Sequence, residues 1–142
     1  MSGGHEISKA YPAMQEQWPG RLIRVQKPAS KNWPDFGLVH PEKNGRVAWL
    51  EVKALPAWEQ SVKDLTPGQA KELDSLAKDG FRAGMLVACL AENSDSITKW
   101  LVYWSRPDRR FFMPSAGSRI FWRNETDEAC FSLTVDFIFG KA

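Results

Sequence analysis

The alternation of hydrophobic and polar side chains predicts a fold built around several strands. Five stretches have the length and apolar content of strands: 21–25, 36–40, 47–53, 82–91 and 100–104. A turn containing Asn44-Gly45 joins the second and third of them, as in a β-hairpin. The fourth is almost continuously apolar, which is typical of a strand buried on both faces, and the fifth is predicted to pair with it. Residues 105–117 are predicted to be a loop, and the aromatic end of the chain gives no firm assignment.

Two helices are predicted from residue spacing and from residues typical of helix ends. The first covers residues 6–17, where Pro12 either interrupts the helix or marks its start. The second begins at Thr66, a candidate N-cap with Gln69 as its capping-box partner, and ends at Gly80. The order helix, three strands, helix, strand predicts an α/β (mixed α+β) fold with a central mixed sheet flanked by helices.

Length and composition agree with a single domain over residues 1–142. The chain is 43% hydrophobic and 25% charged, which is typical of a globular protein. Its core is expected over about 6–91, with residues 92–142 as a C-terminal elaboration. No apolar run is long enough for a bilayer and the first residues form no apolar signal core. We therefore expect a cytoplasmic protein, of a bacterium or a phage-infected host, with no membrane partner.

The two cysteines, Cys89 and Cys130, lie in apolar stretches of the sequence. Two cysteines are too few for a disulfide framework, so we expect two reduced thiols within the core. The sequence has no CxxC motif and no Cys/His cluster, and a structural zinc site is not expected.

Charged residues at the end of an apolar strand form the candidate chemical site. Strand alternation places Glu51 and Lys53 on one face of the strand 47–53, and Asp35 precedes the neighbouring strand. Separately, Asp35 could be a turn residue, and Glu51 with Lys53 could be an exposed charge pair of little energetic value. Their joint occurrence in this order of elements favours a site.

The register of the hairpin decides whether the two carboxylates can meet. A two-residue Asn44-Gly45 loop places Asp35 on the face opposite to Glu51. A three-residue loop with Gly45 left-handed places Asp35 diagonal to Glu51 on the same face. We predict this second register or an equivalent bulge. Its pairs are Glu42 with Arg46, Gly37 with Glu51, and Asp35 with Lys53.

Two carboxylates beside a lysine are suited to phosphodiester hydrolysis. The carboxylates of Asp35 and Glu51, with the backbone carbonyl of Val52, offer the hard oxygen ligands that Mg²⁺ prefers. A bound Mg²⁺ polarises a phosphate and lowers the pKa of a water molecule. Lys53 can orient that water or neutralise charge on the phosphorane oxygens.

Pro34-Asp35 followed by Glu51-Val52-Lys53 resembles the PD-(D/E)xK nuclease superfamily. The capped helix and the apolar strand that follow are similar to its small VRR-NUC and Holliday-junction-resolvase branches and to stand-alone phage nucleases. The resemblance covers about residues 6–91 and implies a restriction-endonuclease-like core.

The resemblance also implies roles for individual residues. Asp35 and Glu51 would bind the metal, Lys53 would be catalytic, and Gln69 would lie near the site, as a cap, as a site contact or as both. The cofactor would be Mg²⁺, with Mn²⁺ able to substitute. The family usually adds a glutamate from the first helix, and here either Glu6 or Glu16 could supply it.

Basic residues cluster in two stretches and form the candidate nucleic-acid contacts. The candidates are Arg21, Arg24, Lys27, Lys31, Arg106, Arg109 and Arg110. The second stretch interleaves arginines with Phe111-Phe112, a pattern that can contact phosphates and stack on bases. The net charge of +2 excludes a polycation but permits local charge. If both stretches flank one cleft, they form a positive groove around an acidic centre.

The function expected from these features is metal-dependent endonuclease activity on DNA. Junction, duplex and flap substrates all remain open, and a symmetrical junction calls for a homodimer. One alternative is a non-catalytic nucleic-acid-binding module that retains the nuclease fold. Another is a partner-binding protein whose aromatic C-terminal part forms the interface.

Overall fold

A computed structural model of the chain describes residues 9–26, 28, 30–55, 65–91, 96–106, 112–113, 119–126 and 130–140. Within these ranges the helices are α1 (Tyr11–Gln17), α2 (Pro67–Lys78) and α3 (Val135–Phe139). The strands are β1 (Leu22–Arg24), β2 (Phe36–Val39), β3 (Val47–Leu55), β4 (Arg82–Leu90), β5 (Ile97–Ser105), β6 (Phe112–Met113) and β7 (Arg119–Glu125). Among the described helices, none combines the length and the apolar character that crossing a membrane requires.

The strands lie in the order β1-β2-β3-β4-β5-β7-β6. Strands β1, β2 and β3 pair antiparallel, α2 then crosses over, and β4 pairs parallel with β3. β5 pairs antiparallel with β4, and β7 pairs antiparallel with β5. The predicted α/β fold with a central mixed sheet is therefore confirmed. The C-terminal part of the chain continues this sheet, because β5 pairs with the free edge of β4 and β7 pairs with β5.

Helices cover both faces of the sheet and bury two hydrophobic clusters. On one face, Met14 of α1 and Ile138 of α3 pack with alternate residues of β3, such as Leu50. On the other face, Leu73 of α2 packs against Met85. Almost every residue of β4 is buried, which confirms the prediction that this strand is covered on both faces.

A single side-chain amide joins the N-terminal helix to the C-terminal part of the chain. The Oε1 atom of Gln17 accepts hydrogen bonds from the indole Nε1 of Trp100, at 3.1 Å, and from the backbone N–H of Leu133, at 2.9 Å. Trp100 is fully buried. The segment that leads into α3 is thus part of the core built around α1 and β5.

The C-terminal residues and the cysteines test two further expectations. Ile138 and Phe139 lie in the core beside α1, so this end of the chain is a structural part of the fold. Cys89 is buried, as predicted. Cys130 is exposed, so its prediction as a core thiol is wrong. Its neighbour Phe131 is 39% exposed as well.

Candidate active site

The β2–β3 hairpin has a wider turn than the sequence predicted. Gly37 pairs with Trp49, and not with Glu51, so the predicted pairs are wrong by two residues. The imidazole Nδ1 of His40 accepts hydrogen bonds at 3.1 Å from the backbone N–H groups of Glu42 and Lys43. The ring thereby satisfies backbone donors that a tight turn would pair across the strands. Gly45 has a φ of 86°, the left-handed conformation that was predicted.

An even shift of register leaves every side chain on its predicted face. Phe36 pairs with Leu50, and one further step along the ladder places Asp35 opposite Glu51. The Oδ2 atom of Asp35 accepts a hydrogen bond of 2.9 Å from the backbone N–H of Val52. This bond holds the Asp35 carboxylate against the residue between Glu51 and Lys53.

Gln69 fixes the buried carboxylate of Glu51. Its side-chain Nε2 donates a 3.0 Å hydrogen bond to Oε1 of Glu51, which is only 3% exposed. Its Oε1 accepts from the backbone N–H of Thr66 at 3.0 Å, and its own backbone N–H donates to the Thr66 hydroxyl at 3.1 Å. The capping box therefore orients the amide so that its donor side faces Glu51. Gln69 is both a helix cap and a contact of the candidate site.

Replacing Gln69 with glutamate is expected to separate these two roles. Gln69→Glu keeps an acceptor for the Thr66 N–H but puts a second carboxylate about 3 Å from Glu51. We expect a loss of roughly 1–3 kcal/mol of unfolding free energy at mildly alkaline pH. The loss shrinks as the pH falls, because the folded pair takes up a proton that the unfolded chain releases.

Denaturant unfolding of this variant at several pH values measures the effect. Thr66→Ala is the matched control, since it removes the cap without adding charge and should cost about 1 kcal/mol at every pH. A pH-independent loss in Gln69→Glu would show that residue 69 does not face the Glu51 carboxylate.

Lys53 lies two residues after Glu51 on the same face of β3, among apolar neighbours. It is 7% exposed, and it pairs in the sheet with Val87, which pairs in turn with Leu101. Across the described residues its side chain makes no hydrogen bond and no ion pair. A lysine in such a position buries its methylene stem and keeps the ammonium at its tip accessible. Lys53 is therefore positioned for an anionic ligand.

The donor set is suited to a magnesium-type ion. Asp35 and Glu51 supply carboxylates. The backbone of Val52 faces β2, where its partner in the continued register would be Pro34. Proline has no N–H, so it cannot donate a hydrogen bond to the Val52 carbonyl. The Val52 carbonyl thus lies at the edge of β3 that faces β2, the same edge that contacts the Asp35 carboxylate. In the described part of the chain, no group of three or more His, Cys, Asp or Glu side chains could hold a metal. Mg²⁺ needs only one or two carboxylates, with water and phosphate oxygens completing its shell, so these residues fit it.

Glu16, one of the two glutamates proposed from the first helix, does not add to this donor set. Glu16 is exposed on α1, which packs on the face of the sheet that carries Leu50 and Val52. Glu51 projects from the other face, so the structure does not bring Glu16 to it. Glu6 lies outside the described residues.

One of the predicted basic residues lies in a loop beside the site. Lys31 is exposed in the loop that leads to Asp35, and the neighbouring Asn32 packs against the start of α2. A Cβ atom at Gly68 would come within 2.6 Å of the Asn32 amide, so glycine permits this close approach. The loop therefore reaches the helix turn that carries Gln69.

The other described basic residues lie elsewhere. Arg24 pairs with Phe36 and stacks over the ring of Tyr11 at 5.3 Å, on the α1 face. Arg21 lies at the far end of β1, where its carbonyl accepts from Val39. Arg106 follows β5 at the opposite end of the sheet, so Arg106 and the Asp35 loop do not form one groove. Lys27, Arg109 and Arg110 lie outside the described residues.

Comparison of the chain with protein-family models, with curated proteins and with solved structures finds no match. The residues of the site combine two carboxylates, a carbonyl, an amide that orients one carboxylate, and a buried lysine. That combination is suited to hydrolysis of a phosphate ester with an oxygen-bound divalent cation.

Proposed function

We propose that this protein is a Mg²⁺-dependent endonuclease that hydrolyses phosphodiester bonds in DNA. The observation that carries the proposal is the arrangement around β3. Buried Glu51 and Lys53 share one face of the strand, and the Asp35 carboxylate is bound to the N–H of the residue between them. A solvated surface charge pair would not require two buried, oppositely charged side chains on an apolar strand.

The order of the elements supports a restriction-endonuclease-like core. A helix, three antiparallel strands, a crossover helix and a parallel strand follow one another, as the resemblance to the PD-(D/E)xK superfamily implied. The proline and aspartate of the motif precede β2, and its glutamate and lysine lie on β3. The motif residues thus meet at two adjacent strands, which is the geometry that a shared site needs.

Each residue of the site has a defined task in the proposed reaction. Asp35, Glu51 and the Val52 carbonyl would hold the Mg²⁺, which supplies Lewis-acid polarisation of the phosphate and a more acidic water. Gln69 keeps the Glu51 carboxylate in one orientation. The Lys53 ammonium orients the attacking water or neutralises charge that develops on the phosphate oxygens. Hydrolysis would leave a 5′-phosphate and a 3′-hydroxyl, as in the family that the motif resembles.

Mn²⁺ is expected to substitute for Mg²⁺, since both ions accept carboxylate and carbonyl oxygen ligands. A homodimer is proposed only for a symmetrical substrate such as a four-way junction, where two strands are cut at equivalent positions. Light scattering with and without a junction measures the oligomeric state.

The main rival is a non-catalytic DNA-binding module with the same fold. It predicts salt-dependent binding without metal-dependent cleavage. Lys53 lies on the same face of β3 as Glu51, and its side chain makes no ion pair within the described residues. This favours the nuclease, because a binding module does not need a lysine beside two metal-binding carboxylates. The partner-binding alternative is weakened by α3, whose Ile138 and Phe139 are part of the core.

An assay on several substrates tests the proposal. The protein is incubated with duplex, single-stranded, flap and four-way-junction DNA, with Mg²⁺, Mn²⁺ or EDTA. Cleavage is expected with either metal and not with EDTA. Asp35→Asn, which keeps an acceptor for the Val52 N–H, should reduce the rate at least about a hundredfold. Absence of cleavage on every substrate, with binding retained, would establish the non-catalytic module instead.

A further inference from the structure

Three arginines meet at the end of the sheet that lies away from Lys53. Arg46 precedes β3, Arg82 begins β4, and Arg106 follows β5. Arg82 pairs with Ala48 whereas Val87 pairs with Lys53, which at about 3.3 Å per residue separates the two ends by roughly 16 Å. The arginines line a cleft of about 480 Å³. This cleft shares no residue with the candidate active site.

Aromatic rings and a carbonyl hold two of the guanidinium groups in place. Arg82 lies over the ring of Trp104 at 4.3 Å, and its Nε donates a 2.6 Å hydrogen bond to the carbonyl of Ile138. Arg46 lies over the ring of Phe139 at 5.3 Å. Stacking occupies the faces of these groups and leaves the N–H bonds at their edges for an acceptor. The guanidinium groups of Arg46 and Arg82 are therefore oriented before any ligand binds.

The three arginines give the cleft a positive charge. Within the described ranges, none of the three arginines forms an ion pair with Asp or Glu. Burial, together with repulsion from Arg106 and Arg46, lowers the pKa of Arg82 to about 10. Arg82 is still protonated at neutral pH, so the folded protein maintains a repulsion that a bound anion would relieve.

The size and rim of the cleft indicate more than an inorganic anion. A volume of about 480 Å³ falls in the range of sites for small organic molecules and far exceeds a phosphate. Phe81 lines the cleft and is 49% exposed, although it is a large apolar side chain. An exposed aromatic ring beside arginines offers a stacking surface for a base next to donors for a phosphate.

We propose that this cleft is a second, non-catalytic site that binds a nucleotide phosphate. The arginines bind the phosphate oxygens and Phe81 stacks on the base. The nucleotide is either a free mononucleotide or the 5′-phosphorylated end of a DNA strand, since both present the same chemistry. The inference stands on the cleft alone and does not require the proposed nuclease activity.

Calorimetric titration tests the site in the intact protein without added metal. The ligands are dAMP, deoxyadenosine and inorganic phosphate, followed by one oligonucleotide with either a 5′-phosphate or a 5′-hydroxyl. We expect dAMP to bind at least about tenfold more tightly than deoxyadenosine, because charge-assisted hydrogen bonds are lost with the phosphate. Arg46→Gln and Arg106→Gln should each weaken dAMP binding about tenfold, and dAMP should raise the melting temperature. The oligonucleotide pair shows whether a strand end can be the source.

Matched variants keep the result interpretable. Lys71→Gln removes one exposed positive charge on α2 outside the cleft and should change the dissociation constant by no more than about twofold. If Lys71→Gln weakened dAMP binding as much as the two arginine variants, the proposal would be overturned. Loss of dAMP binding in Asp35→Asn would also overturn it, because the ligand would then lie in the candidate active site. Unchanged affinity in Phe81→Ala would overturn the nucleotide assignment. Arg82 is not substituted, because its bonds to Trp104 and Ile138 also support the fold.

Discussion

Lys53→Met is expected to lower the rate of Mg²⁺-dependent DNA cleavage by about a hundredfold to a thousandfold while leaving the protein about as stable as the wild type. Removing one preorganised charge from the transition state of such a reaction costs roughly 10²–10³ in rate. Methionine has a similar length and no charge, so it fills the same space among Val87 and Leu101. Because the Lys53 side chain forms no ion pair within the described residues, losing its ammonium should change the unfolding free energy by no more than about 1 kcal/mol.

Cleavage kinetics and denaturant unfolding of the same preparation measure both effects. Lys43→Met is the matched control, because Lys43 is exposed in the β2–β3 turn and its loss should change neither quantity appreciably. A variant at position 53 that is inactive and also destabilised by several kcal/mol would indicate a structural role for Lys53. Full activity in a stable variant would remove it from the catalytic site.

Trp100→Ala is expected to lower the unfolding free energy by about 4 kcal/mol. Replacing a fully buried tryptophan leaves a large cavity, and such substitutions typically cost 3–5 kcal/mol. The change also removes the indole N–H that donates to Oε1 of Gln17. This oxygen also accepts from the backbone N–H of Leu133, so it joins α1, β5 and the segment before α3. Since small domains are stable by only about 5–15 kcal/mol, a large share of the total would be lost.

Thermal and denaturant unfolding give this difference directly. Trp33→Ala makes the same chemical change at a side chain that is 38% exposed, and it should cost less than about 1 kcal/mol. Similar losses for the two variants would mean that Trp100 is not the centre of the core that the N-terminal and C-terminal helices share.

The order of elements was predictable because it depends on local patterns. The apolar run of β4 and the capping box of Thr66 with Gln69 are strong signals, and both occur as expected. The faces of β3 follow from a period of two, so Glu51 and Lys53 could be placed together before any pairing was known.

The hairpin register could not be predicted in the same way, because a side chain decides it. His40 accepts hydrogen bonds from two backbone N–H groups of the turn, and no rule for Asn-Gly loops includes such a ring. The predicted register was wrong by two residues, an even number, so the error shifted Asp35 along the strand without changing its face. A shift of two residues is compatible with Asp35 and Glu51 on one face, although the predicted pairs are wrong.

Contacts between distant parts of the chain left no local signal. Arg46, Arg82 and Arg106 are separated in sequence, and only the parallel pairing of β3 with β4 and the return of β5 bring them together. For the same reason, the sequence left open whether Arg106 flanks one cleft with the basic stretch before Asp35, and in the fold Arg106 lies at the other end of the sheet. The short helix α3 was missed because five residues carry too little periodicity.

The proposed reaction requires Asp35 and Lys53 to act in one catalytic site, and a double-variant cycle tests this requirement most directly. Cleavage rates are measured under one Mg²⁺ condition for the wild type, Asp35→Asn, Lys53→Met and the combined variant. Groups that act as a unit are strongly non-additive, so the combined variant should be within about threefold of the slower single variant. Losses that multiply, or single variants that cleave at the wild-type rate, would contradict a shared site.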